Sequence, residues 1–362
     1  MMAPYENSQL VTTVKSVSFR TDRYQFLRRE IFRAFRDLVI VGIGFSFIAC
    51  TDGRTPIPRV ALRIDSNLPE QSLFEVAQVK FNNQEVRSWN QVRQGNSLYL
   101  TGTPFGFSRW DIGANPENPQ LVFSVSNQID RLQQKWVAPW YASGGLAIFG
   151  TTAVMSGSVG ASVMDLRETN RPREVLRYPP YNESSDDVIA DEAFIWSAAT
   201  FHPSQPYLYA FRQQDFAFTY ALGSGGLSLI SKQSYGASGE ISCCVDSTVT
   251  FNNQLYLAFR SRLLFFDFNG PNLANAREYT GLQATGLATS DNFLYVLHRP
   301  TASWNSRGPL PPAGIYVFDK QGQHVGYLQA NPNRFSVNAN DSHLYADEDT
   351  GAIKIYRILW SR

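Results

Sequence analysis

Two short stretches decide the fold: NQLYLAF (Asn253–Phe259) and, three residues on, LLFFDF (Leu263–Phe268). Each is too short for a helix of ordinary length and is rich in β-formers, and the pair is set off by turn residues. The second has too few polar positions for a sheet that faces water on one side. It reads as a strand covered on both faces.

The same unit recurs. It appears as NSLYLTG (Asn96–Gly102) with FSRWDI (Phe107–Ile112), and as GGLAIFG (Gly144–Gly150) with ASVMDL (Ala161–Leu166). QPYLYAF (Gln205–Phe211) pairs with FAFTYAL (Phe216–Leu222), NFLYVLH (Asn292–His298) with IYVFDK (Ile315–Lys320), and SHLYAD (Ser342–Asp347) with AIKIYRI (Ala352–Ile358). The leading leucines are Leu98, Leu146, Leu208, Leu255, Leu294 and Leu344, spaced by 48, 62, 47, 39 and 50 residues. A period of roughly 40–50 residues with several strands per unit is the signature of a β-propeller. A further strand is expected before each unit, for example Ala284–Thr289, and a fourth after several, for example Gln120–Val125.

The expectation is an all-β protein, a six-bladed β-propeller, with a seventh blade left open by the 62-residue gap. The last unit stops at Arg362 without room for a fourth strand, and LFEVAQVKF (Leu73–Phe81) lies ahead of the first. Pairing that early strand beside the C-terminal ones would close the ring and remove exposed sheet edges.

Composition agrees with this. Aromatics make up 14% and charged residues 17% of 362 residues, with 25 Gly and 19 Pro for turns. The net charge of +1 gives no global field for nucleic acid, so none is expected as a partner.

The N-terminus reads as an address. Residues 20–36 carry six arginines against Asp22 and Glu30, the uncharged run Leu38–Ala49 follows, and then Cys50. A basic region, an apolar core and a small residue before the break are the parts of a secretory signal peptide. Twelve residues would rise only ~18 Å as a helix, short of a ~30 Å hydrocarbon core. We therefore assign residues 1–49 to a signal peptide with a long basic region, 50–72 to a lipid-anchored tether, and 73–362 to the propeller. Phe47-Ile-Ala-Cys50 resembles the lipobox of bacterial lipoproteins, which implies lipidation of Cys50. Thr51, standing where Asp would favour retention in the inner membrane, implies the outer membrane.

Once the repeats are aligned, WDIGANPENPQLV (Trp110–Val122) resembles the units of bacterial LVIVD-repeat propellers, with weaker matches at Met164–Leu176 and Phe265–Tyr279. That resemblance implies a propeller of the cell surface or periplasm and brings no shared catalytic residues.

The candidate chemistry is sparse. His202, His298, His324 and His343 fit no metal-binding spacing, so no metal and no cofactor is expected. Asp111, Asp165, Asp267 and Asp319 recur after the second strand of the unit, where a carboxylate caps the following turn. Cys243-Cys244 could close a vicinal disulfide in an oxidising compartment. Trp89, Trp136, Trp140 and Trp196 stand at blade entries and could rim one end of a channel, and Asp186-Asp187 lie in a long polar insertion. The function read from this is non-catalytic: an envelope lipoprotein whose propeller binds a protein, peptide or glycan. The alternative is a hydrolase or oxidoreductase with its site at the channel mouth.

Overall fold

In the computed structural model, the described residues are 57–65, 70–81, 84–85, 87–103, 106–125, 145–156, 161–168, 172–178, 196–211, 216–234, 245–259, 262–300, 311–348 and 352–360. All regular structure among them is β. Three N-terminal strands come first: β1 (Arg59–Ala61), β2 (Glu70–Phe81) and the two-residue β3 (Gln84–Glu85) folded back on β2. Four antiparallel meanders follow. The first is β4 (Arg87–Gln94), β5 (Ser97–Thr103), β6 (Gly106–Asp111) and β7 (Gln120–Val125). The second is β8 (Leu146–Phe149), β9 (Thr152–Ser156), β10 (Ala161–Asp165) and β11 (Arg173–Tyr178). The third is β12 (Ala198–Phe201), β13 (Tyr207–Phe211), β14 (Phe216–Gly223) and β15 (Gly226–Ser234). The fourth is β16 (Val245–Phe251), β17 (Gln254–Phe259), β18 (Arg262–Asn269) and β19 (Asn272–Thr280). The remaining strands, β20 (Ala284–Thr289), β21 (Leu294–His298), β22 (Gly314–Phe318), β23 (His324–Leu328), β24 (Arg334–Val337), β25 (His343–Asp347) and β26 (Ile353–Leu359), share one sheet with β2.

The arrangement is propeller-like. The first strands of the successive groups, β4, β8, β12, β16, β20 and β24, lie each against the next, and β24 lies against β4. Between successive groups sit hydrophobic clusters that share residues of both. The Leu-Tyr signature shows why. Along β13, Leu208 and Ala210 pack into the preceding cluster while Tyr209 and Phe211 pack into the following one. Leu98 and Tyr99, Leu255 and Tyr256, Leu294 and Tyr295, and Leu344 and Tyr345 divide the same way. A strand alternates faces with period two, so each second strand contributes to two interfaces, and both its faces are apolar. β21 and β22 are accordingly buried along their whole length.

Local turn chemistry agrees. Asn252 and Asn253 take φ of 48° and 59° between the paired residues Phe251 and Gln254, the left-handed pair a tight two-residue hairpin requires.

Leu146 requires a correction. It belongs to β8, the first strand of its group, not to the second strand as its counterparts do. The equivalent second strand is β9, where Ala153 pairs with Ile148 as Leu98 pairs with Arg93. From Leu98 to Ala153 to Leu208 the spacings are then 55 and 55 residues, so the uneven 48 and 62 come from matching the wrong strand. Sequence alone confuses the two because Leu-Ala-Ile-Phe satisfies the apolar pattern of either.

The early strand pairs at the C-terminus. Ser72–Val79 of β2 runs antiparallel to Ile353–Leu359 of β26, and Val79 is buried with Tyr345, Ile355 and Leu98. The expected 50–72 tether is in part a structural strap. β1 adds to β19 in parallel, Leu62 N–H donates to the Thr280 carbonyl, and Glu70–Gln71 pair in parallel with Tyr327–Leu328. Its apolar side chains seat on successive clusters, first Ile57, then Leu62 with Ile64, then Leu73. Three prolines and weak alternation hide this in the sequence, because the pairing is with strands some 220–260 residues away. Residues 1–49, where a signal peptide is expected, lie outside the described residues.

Candidate functional site

The first strands of the groups surround a central cavity of about 200 Å³, continued toward one end by a second of about 50 Å³. β4, β8, β12, β16, β20 and β24 are each paired on one edge only, so the backbone of the other edge faces the cavity, where the Leu287 carbonyl accepts from Ser247 Oγ. Backbone groups there that no protein group reaches must be hydrated or bonded to a ligand. Thr200, Thr248, Thr250, Thr289 and Ser336 add hydroxyls to the lining. The wider cavity is thus polar but nearly uncharged. Among the described residues, its one permanently charged lining residue is Arg93.

The Arg93 side chain is 12% exposed and reaches from β4 past β24 to the turn after β20, where Nη2 donates to Asp291 Oδ1 at 3.0 Å. Nη1 donates to the Gly95 carbonyl. Two non-adjacent groups are thereby joined at the end of the cavity where the first strands stop. Composition gives no sign of this pair, because 198 residues separate its members.

The histidines serve the fold. His298 is fully buried, Nδ1 accepting from Gln283 N–H at 2.7 Å and Nε2 facing the Pro311 carbonyl at 3.0 Å. That pattern fixes a neutral ring protonated on Nε2, and burial holds its pKa below the ordinary value. His324 is bracketed in the same way by Asp65 N–H and the Gly326 carbonyl, and burial lowers its pKa too. His202 accepts from Ser204 N–H and packs on Phe268, again with its pKa depressed by desolvation. His343 meets Glu117 at 3.2 Å, and Glu117 also takes Arg357, so this trio ties the last strands to the loop after β6.

Among the described residues no group of three His, Cys, Asp or Glu could hold a metal ion. The recurring aspartates behave largely as turn caps. Asp111 accepts from Gly113 N–H, Asp165 from Arg167 N–H, and Asp319 from the N–H groups of Gln321 and Gln323. Asp267 differs, bonding the side chains of Gln254, Asn275 and Arg277.

The repeated tyrosines do more than fill space. Tyr209 OH donates to the Gly270 carbonyl, Tyr295 OH to Asp341 Oδ1, and Tyr345 OH to the Pro116 carbonyl, each in the neighbouring group. Burial raises the pKa of all three phenols, so they stay protonated donors.

Of the binding residues expected from sequence, Trp196 is corrected. It is 2% exposed, its ring tilted against Tyr220 at 5.2 Å within the cluster between the second and third groups, and so it packs the fold and does not rim an opening. Trp89 lies in β4 at an irregular step between Ser88 and Asn90. Cys50, Trp136, Trp140, Asp186, Asp187, Cys243 and Cys244 lie outside the described residues. Chain order still relates six of these. They fall in the connections 126–144, 179–195 and 235–244, each of which leads from a fourth strand to the next first strand.

No family model matches the sequence, and no curated protein does. Among solved structures 1029 chains match. One is the computationally designed Ika8 protein, at 13% identity and a TM-score of 0.41 over 75% of this chain and 83% of that one. Another is a Bacteroides uniformis protein provisionally named 6-phosphogluconolactonase, at 17% identity and a TM-score of 0.44 over 72% of this chain and 78% of that one. Neither likeness carries an argument at these scores. The architecture rests on the strand pairing and the clusters described above.

Proposed function

We propose that this chain is a six-bladed β-propeller acting as a non-catalytic binding scaffold of the bacterial cell envelope. In this reading β2 supplies the fourth strand of the last blade, and Cys50 carries a lipid. One observation supports the binding role above the others. Three of the four histidines and most of the recurring aspartates spend their polar atoms on the fold's own backbone, while the cavity wall is nearly uncharged and hydrogen-bonding. Such a wall recognises extended backbone or hydroxyl-rich ligands by many weak polar contacts. The partner class is accordingly a protein segment, a peptide or a glycan of the envelope.

The test is site-specific photo-crosslinking in cells, with the crosslinker at Asp246 or Asn333 beside the opening, and at Val175 on an outer strand as control. A discrete adduct from the first two positions and none from the third is expected. Adducts only at Val175, or turnover of an ester or redox substrate that disappears on substitution of lining residues, would overturn the reading. Labelling with radioactive fatty acid, present in the native chain and absent from Cys50→Ser, tests the anchor separately.

A further inference from the structure

We infer that the cavity seats one uncharged sugar ring, in the layer of residues nearest the end where the first strands stop. The inference rests on the binding reading above and narrows its partner to a hydroxyl-rich ligand read one ring at a time.

Register defines the layer. In each group, one first-strand residue lies opposite the leading apolar residue of the second strand. Around the ring these are Arg93, Ile148, Phe201, Thr250, Thr289 and Val337. All six line the cavity. Each first strand lies against the next in a closed circle, so β8 and β12 stand across the cavity from β20 and β24.

The layer has two unlike sides. On β16 and β20, Thr250 and Thr289 are partly exposed, and their hydroxyls have no partner among the described residues. The hydroxyl of nearby Thr248, by contrast, is spent on the Tyr256 carbonyl. The Arg93 guanidinium completes this polar side where it passes β24 to reach Asp291. On β8 and β12 the wall is apolar. Ile148 and its neighbour Phe149 are partly exposed, and the Phe149 ring meets that of Phe201 at 5.4 Å. Val337 is fully buried and does not extend the apolar surface onto the polar side. Hydrogen-bonding groups facing an aromatic-backed wall suit a ligand with an edge of hydroxyls and a face of C–H groups, which is the chemistry of a pyranose ring.

Depth, size and charge favour the ring over an extended peptide. The two-sided pattern is one layer deep. A step further in, β12 offers the hydroxyl of Thr200 and β20 the methyl of Ala288, so polar and apolar sides exchange strands within about 3.4 Å. A bound peptide strand is read by pockets that repeat along its length, and this wall does not repeat. A cavity of about 200 Å³ has room for on the order of a dozen water-sized groups, close to one sugar ring with its hydroxyls. The Arg93 charge is already met by Asp291, so the wall holds no unmatched counter-charge for an ionic ligand among the described residues.

Saturation-transfer NMR on the full chain tests this with the methyl glycosides of glucose, galactose, mannose and N-acetylglucosamine. Glucuronic acid and a capped trialanine serve as comparators. A neutral glycoside should take up saturation, most strongly at the C–H protons of one ring face. Thr250→Val/Thr289→Val removes two hydroxyls at nearly constant volume and should weaken that binding roughly tenfold, with thermal melting unchanged. Phe149→Leu, a separate variant, should erase the preference for one face. A trisaccharide ending in the same sugar and bound more tightly assigns the ring to the end of a glycan, and equal affinity assigns it to a free sugar. Saturation of the peptide with none of the glycosides, preference for glucuronic acid, or glycoside binding untouched by both variants overturns the inference. A crosslinked protein adduct at Asp246 or Asn333 without sugar binding removes this inference alone. Neither adduct nor binding removes the binding reading with it.

Discussion

Acidification from pH 8 to pH 5 should destabilise this protein through its buried histidines, His298 first. Its Nδ1 already accepts Gln283 N–H at 2.7 Å in a fully buried site, so a proton added there would set two donors against each other. Burial therefore holds the folded pKa below the ordinary 6.5, whereas the unfolded chain titrates near that value. Between the two, the unfolded state binds more protons, so stability is complete above about pH 6.5 and declines as pH falls toward the folded pKa. If His298 stays neutral in the fold down to pH 5, the unfolded state gains about 1.5 pH units of protonation, or about 2 kcal/mol. That is a ceiling for this one residue. His324 and His202 act in the same direction, and His202, being partly exposed, acts more weakly. The assay is urea unfolding at pH 8, 6.5 and 5 for the wild type and His298→Gln, whose amide can still accept from Gln283 but does not titrate. The wild type should lose up to about 2 kcal/mol more than the variant between the extremes. Parallel pH dependences would refute the argument, since they would mean that the ring takes up its proton as readily folded as unfolded.

Three further outcomes follow from the packing. Gly145→Ala would place a Cβ 2.5 Å from Ala199 N and 2.7 Å from the Ala198 carbonyl carbon, where β8 and β12 approach at the cavity; thermal melting should show a loss of about 2 kcal/mol or more. Tyr295→Phe leaves buried Asp341 with the Asn292 amide alone, and denaturant titration should register about 1–2 kcal/mol. Arg262→Ala strips the two-pronged partner from Glu278, which is 5% exposed; the discounted cost, read by denaturant titration, is about 2 kcal/mol.

Much of the architecture was legible because it is written locally and repeatedly. A Leu-Tyr strand buried on both faces, a period near fifty residues and a spare strand ahead of the first unit suffice to predict a ring of small sheets with an N-terminal closure. The pairing of β2 with β26 is the clearest instance. The capping role of Asp111, Asp165 and Asp319 was equally legible, since a carboxylate reaches amides two to four residues on without help from the rest of the chain.

What the tertiary structure alone decided depends on groups brought together from far apart. The strap looks like a proline-bearing linker until β19 and β23 offer it edges to join. Leu146 fits either of two strands by pattern, and only its place against β12 and β4 makes it a first strand. Trp196 could have faced water or a neighbour, and Tyr220 decides for the neighbour. Arg93 and Asp291 meet solely because β24 lies against both β4 and β20, which brings the first strands of the first and fifth groups within reach of each other. Periodicity fixes which face of a strand is apolar, but it does not state which distant element will cover that face. That choice is made by the lowest free energy of the closed chain as a whole.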